Sequence, residues 1–197
     1  MKNIFKNTKK GILMLALLAT ISGFASEAKI LVNKDSKKTA LVLNDVKKGN
    51  QISIKDSNGL ILYKEMVETT GVYKKGFDLN ALPDGNYVFE VEKDLEINTI
   101  PFTVNAKEVL FDKGNEETFY KPYTRQEGDL VYLTKLSPNN KPINVSIYAN
   151  RNDDFELVHS EKIENTKVLE RIYKIETGNY KIVINSDSKE YTTFVNN

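Results

Sequence analysis

A single histidine and no cysteine leave this chain little with which to do covalent or metal chemistry. His159 sits in the stretch Phe155 to Ile163, where strict alternation puts Phe155, Leu157 and His159 on one face of a strand. A hydrolytic triad needs its histidine beside an activated serine, and no Gly-x-Ser-x-Gly or comparable nucleophile turn is present. One imidazole without thiolates also falls short of most transition-metal sites. His159 is therefore expected to be an ordinary strand residue, and the chain a non-enzyme without metal or cofactor.

The acidic turns invite a second chemistry. Asp56, Asn58 and Gly59 have the flavour of a calcium loop, but an EF-hand needs several more oxygen ligands and a Glu at its twelfth position. Between two strands these residue types make turns, and so do Asn152, Asp153 and Asp154 at the matching place in the second half. Asn144-Val145-Ser146 fits a glycosylation acceptor pattern. The candidate ligand-binding residues are Phe119, Tyr120 and Tyr123, which cluster around Pro122 with Lys121 and Arg125 alongside. Exposed, they offer a strip for a glycan or a protein; folded over the end of a sandwich, they are buried. Burial is the expectation, because most aromatic side chains are substantially buried.

The elements that must position these residues show themselves as a repeat. Gly85-Asn86-Tyr87 and Gly178-Asn179-Tyr180 each open an alternating apolar run, 93 positions apart, and the same offset carries Ile52 and Ile54 onto Val145 and Ile147. A chain with such self-similarity reads as one unit written twice. Strand signals fill both halves. Gln51 to Lys55 alternates, Asp56-Ser57-Asn58-Gly59 turns, and Leu60 to Met66 returns as a hairpin partner. Lys29 to Val32, Thr39 to Val46, Tyr73 to Leu79, the run from Tyr87 and Ile97 to Val104 complete the first unit. Pro101, which lacks an N–H for a ladder, places that last strand at a sheet edge. In the second unit Glu108 to Phe111 and Leu130 to Leu136 come first. Ile143 to Ala149, Phe155 to Ile163, Lys167 to Ile175, Tyr180 to Ile184 and Glu190 to Val195 follow.

About seven short strands per unit predict an all-β protein of two tandem immunoglobulin-like β-sandwich domains, over residues 28–104 and 107–197. Asn105-Ala106-Lys107 is the linker, too short for a flexible tether. Tyr87 and Tyr180, each just after a Gly-containing corner, are either tyrosine corners or plain buried strand residues.

Residues 1–25 read as a secretory signal peptide. Lys2, Lys6, Lys9 and Lys10 precede a short apolar run from Ile12 to Ile21, and Gly23-Phe24-Ala25 supplies small residues for cleavage. That run is short for a bilayer span, which needs about 20 residues. Without cysteine there is neither a lipoprotein signal nor a disulfide framework, so each unit must stand on its apolar core. Cleavage leaves 24 basic against 27 acidic residues, a net charge of −3, with both signs interspersed. Such a surface makes no case for nucleic acid or anionic lipid.

Ile52 to Gly59, then Gly76-Phe77-Asp78-Leu79, then Leu82 to Val91 resembles the C-terminal sorting domain of the type IX (Por) secretion system and related Ig-like modules in exported proteins of Bacteroidota. The resemblance covers about 40 residues, mostly in the first unit, and the second unit's turn at Asn150 to Asp154 lacks the Gly. It implies fold and bacterial group more than a sorting role. The expected function is an exported, non-enzymatic binding, adhesion or assembly module, periplasmic or extracellular, with an unidentified protein or glycan as partner and no membrane span after cleavage. An envelope or secretion accessory is the alternative, and a hydrolase the least favoured reading.

Overall fold

The computed structural model describes residues 29–32 and 39–197. The leader expected over residues 1–25, and the expected start of the first unit at residue 28, lie outside the described residues.

The first sheet joins β1 (Lys29–Val32), β2 (Thr39–Val46) and β5 (Gly71–Phe77) in the order β1-β2-β5. Opposite it lie β3 (Gln51–Asp56), β4 (Ile61–Met66), β6 (Gly85–Glu92) and β7 (Glu96–Asn105), ordered β4-β3-β6-β7. The second half repeats this. β10 (Tyr123–Glu127), β11 (Leu130–Leu136) and β14 (Val168–Lys174) form one sheet, ordered β10-β11-β14. β12 (Ile143–Arg151), β13 (Asp154–Ile163), β15 (Asn179–Ser186) and β16 (Lys189–Asn196) form the other, ordered β13-β12-β15-β16. Every pairing is antiparallel. Three strands against four, in this order in both halves, are two tandem immunoglobulin-like β-sandwiches.

The registers carry the repeat through. Ile52 faces Val91 and Tyr87 faces Phe102; adding 93 to each gives Val145 facing Ile184 and Tyr180 facing Val195, which are also paired. Each half has its own core. Leu41, Ile52, Phe89, Ile100 and Phe102 are all but inaccessible in the first, as are Leu133, Ile143, Val145, Ile182 and Ile184 in the second. Complete burial of such side chains contributes about 1.5 to 3 kcal/mol apiece, which suffices for small sandwiches without disulfides.

Three expectations about elements change. Glu108–Phe111, expected to open the second unit, is instead β8 of the first and pairs with β7 through the register Phe102 to Phe111. Glu117–Tyr120 forms β9, also on β7. Asn105-Ala106-Lys107 is accordingly no linker between sheets: Ala106 and Lys107, at φ 48 and 67, are the centre of a tight hairpin turn. Nor is β7 an edge strand, since β6 flanks one side and β8 and β9 the other. Pro101 is tolerated because β8 pairs with residues 102–105 and β9 with residues 96–99, leaving a gap beside it. Its carbonyl, which points into that gap, accepts the Asp112 N–H at 3.0 Å.

Candidate functional site

The three aromatic candidates separate in the structure. Phe119 and Tyr120 lie half-buried on β9, while Tyr123 opens β10 and is 53 % exposed. Phe119 stands opposite Ile97, which is buried on the outer face of the first unit's larger sheet. Over the Phe119 ring come two cations from the second unit, Lys189 Nζ at 5.2 Å and Lys141 Nζ at 5.9 Å from its centroid. Beside it Glu90 accepts hydrogen bonds from Lys55 Nζ at 2.6 Å and Lys189 Nζ at 3.1 Å. Burial pushes the Glu90 carboxyl up, but the two lysines outweigh it and hold the group below its ordinary value. Phe119 thus belongs to the seam between the sandwiches.

His159 does not share a face with Phe155 and Leu157. A β-bulge shifts the register between Ile147 and Tyr148, so His159 faces Ile147 while Leu157 faces Tyr148. The extra residue, Val158, reverses the alternation. His159 turns inward with the core residue Ile147, and Phe155 and Leu157 turn out. There its ring meets Tyr173 at 5.5 Å, and Nε2 lies 3.6 Å from Glu161. Glu161 also accepts the Tyr173 hydroxyl at 2.5 Å and the Arg171 Nε–H at 3.1 Å. Burial raises the Glu161 carboxyl, and the hydrogen bonds from Tyr173 and Arg171 bring it below its usual range. Burial and the Glu161 bond push the Tyr173 phenol up.

This group has a twin. Ile54 faces Tyr63 as Ile147 faces His159, so β4 maps onto β13 with an offset of 96, placing Glu65 on Glu161. Glu65 pairs with Lys75 as Glu161 pairs with Arg171, and Tyr63 meets Phe77 edge-on at 5.2 Å where His159 meets Tyr173. An aromatic pair and a Glu–cation bridge therefore link the two edge strands of each sandwich, β4 to β5 and β13 to β14. The duplication identifies this cluster as a structural clasp.

The acidic turns spend their oxygens on the backbone. Asp56 Oδ1 accepts the N–H groups of Asn58 and Leu60, both at 2.9 Å, and Asn150 Oδ1 accepts that of Asp153 at 3.2 Å. Among the described residues no group of three or more His, Asp or Glu is placed to hold a metal ion.

One surface escaped the sequence reading. On the outer face of the sheet β13-β12-β15-β16, Leu157, Tyr148, Lys181 and Phe194 stand opposite one another across all four strands. Lys181 Nζ lies 4.7 Å from the Tyr148 ring centroid and 4.9 Å from that of Phe155. Phe155 and Phe194 meet at 6.0 Å. Exposures of 56 % at Leu157 and 67 % at Phe194 make this an apolar patch centred on one cation. Alternation along β16 marks Phe194 as outward, but which strands share the sheet is needed to gather the four residues.

No family model matches the chain, and no curated protein does. Among solved structures it is similar to a biofilm-associated protein BSP domain, at 11 % identity over 80 % of this chain and 27 % of that one, with a TM-score of 0.26. It is also similar to the chicken CNTN1 FN1–FN3 domains, at 8 % identity over 80 % of this chain and 59 % of that one, again with a TM-score of 0.26. The chain spans less than two thirds of either structure. The class assignment rests on the sheet order: an all-β protein of two immunoglobulin-like sandwiches. Among the described residues no helix is long and apolar enough to cross a membrane.

Proposed function

We propose that this chain is an exported, non-enzymatic recognition module of the adhesion or assembly type, with the sandwiches dividing at Lys121-Pro122. The observation that carries the reading is the outer face of β13-β12-β15-β16. A solvated sheet face is ordinarily polar, and a cluster of exposed rings and leucine there is the character of a contact surface for a protein or glycan. Export is supported by the leader pattern of residues 1–25, and the bacterial group by the resemblance of residues 52–91 to type IX sorting-domain-like modules.

The test uses the chain without its leader, coated on beads and offered to bacterial cells and to a glycan array. Retention on one of them is expected, with loss in Phe155→Ser/Phe194→Ser at an unchanged melting temperature. Retention that survives the double substitution, or none at all, overturns the reading. An envelope or secretion accessory is the second reading, supported by the same sorting-domain resemblance. Cell fractionation separates the two, since that role requires the periplasm and the adhesive role the surface or medium.

A further inference from the structure

The two sandwiches differ in the lengths of a hairpin and of a corner connection, and the differences frame a crevice. From β3 to β4 the offset between copies grows from 93 to 96, because the second hairpin is longer. From β5 to β6 it returns to 93, because the connection shortens from Asp78–Asp84 to 175–178. In the first unit that longer connection makes a single 3₁₀ turn over Leu79–Ala81, and Leu79 and Leu82 pack on the core. The shorter connection keeps Ile175 in the place of Leu79 and has nothing in the place of Leu82.

The ring packing differs in the same direction. In the first unit Tyr63, Phe77, Phe89 and Phe102 form a continuous chain, with successive centroids 5.2, 5.2 and 5.3 Å apart. Their counterparts are His159, Tyr173, Ile182 and Val195, so in the second unit the rings stop at Tyr173. Beside Tyr173, between the edges β13 and β14, lies an open cavity of about 420 Å³. That volume is within the range of small-molecule sites, about 300 to 1,000 Å³.

We propose that this crevice binds a small amphipathic anion. Ile147, Ala149, Ile172 and Ile175 offer an apolar wall, and Val158, lifted by the bulge, stands at the mouth. Arg151, on the hairpin's extension, and Lys174 supply two positive charges. Glu176 also borders the space, with one negative charge. The two cations are paired with exposed carboxylates, Glu156 at 3.7 Å from Arg151 and Asp129 at 3.2 Å from Lys174. Pairs so exposed are weak, and an incoming carboxylate or sulfonate displaces them at little cost. Tyr180 borders the crevice too, and its hydroxyl makes no hydrogen bond among the described residues, which leaves a donor for the head group.

The experiment titrates the full chain without leader with anilinonaphthalene sulfonate, following fluorescence. A neutral probe of similar shape, phenylnaphthylamine, runs in parallel. One saturable site is expected, with the anionic probe bound roughly tenfold or more tightly than the neutral one. Val158→Trp, which plugs the mouth from an exposed position, abolishes the signal. Arg151→Glu/Lys174→Glu, both at exposed side chains, reduces the preference for the anion to parity without touching the core. Phe194→Ser, on the opposite face of the sheet, changes nothing. Loss of the signal in Phe194→Ser locates the probe on the outer aromatic patch and overturns the proposal. So does binding that survives Val158→Trp, or equal affinity for both probes.

Discussion

Tyr87 and Tyr180 occupy the same place in the repeat and do different work. The Tyr87 ring is buried against Phe102 at 5.4 Å, and its hydroxyl donates to the Pro83 carbonyl at 2.7 Å, four residues upstream. That is a tyrosine corner. Tyr180 is half-buried, and the shortened connection before it offers its hydroxyl no such carbonyl. Tyr87→Phe should therefore cost about 0.5 to 1.5 kcal/mol, the net value of one hydrogen bond, while Tyr180→Phe costs close to nothing. Urea melts of the two variants decide it; equal losses would contradict the asymmetry. The buried carboxylates make a second residue-scale prediction. Glu90 and Asp187 sit below their ordinary values of 4.5 and 3.8, burial being outweighed by Lys55 and Lys189 for one and by Lys135 and Ser186 for the other. A depressed carboxyl contributes stability that is present above its unfolded value and lost as pH falls through the folded one. Stability should thus be level from neutrality to about pH 5 and fall steeply below about 4.5, as a series of melts against pH would show. Lys135, whose side chain is wholly buried against Asp187 at 3.0 Å, helps to hold that carboxyl down and so carries the fall to lower pH.

At the scale of elements, tight turns set the hairpins. Asn152-Asp153 and Asp187-Ser188 have positive φ at both central residues, in polar types that tolerate it. Ala106-Lys107 adopts the same conformation without that chemistry. An L-residue forced into this region costs about 1 to 2 kcal/mol, so Ala106→Asn/Lys107→Gly should stabilise the first unit by about 1 kcal/mol. A melting temperature that fails to rise would show that another contact compensates for the strain. The bulges are also duplicated. Leu62 and Val158 are the extra residues on the edge strands β4 and β13, related by the offset of 96. Bulges twist an edge and interrupt its ladder, which works against further pairing along strands that carry exposed Ile61, Leu62 and Val158.

For the whole molecule, the seam around Glu90 decides whether two sandwiches move as one. Glu90 is buried, and half of its compensation, Lys189, arrives from the second unit. Lys141 and Lys189 over Phe119 add attraction on the same face. Lys189→Glu sets two carboxylates against each other and should open the seam. Small-angle X-ray scattering would then give a larger radius of gyration, with circular dichroism unchanged. An unaltered scattering curve would mean that the direct connection through Lys121-Pro122 alone holds the arrangement.

What the sequence determined by itself was the local pattern: alternation marked almost every strand, turn chemistry marked the hairpins at Asp56–Gly59 and Asn150–Asp154 though not the one at Ala106-Lys107, and the offset of 93 survives as pairing register. These are short-range properties, carried by neighbours along the chain. Partner choice is not. Glu108–Phe111 has the same alternation whether it pairs forward or with β7, and only the assembled sheet shows that Phe111 completes the first core. One bulged residue was enough to turn His159 from the outer face to the inner one, a shift that no periodicity reveals. In the sequence Phe119 reads as an exposed candidate or a buried ring, with burial expected, and only the fold shows the second unit's lysines above it. The crevice beside Tyr173 exists because three residues were gained in a hairpin and three lost at a corner. Those changes are visible in the sequence as offsets, but their meeting in space belongs to the packing of the two sheets.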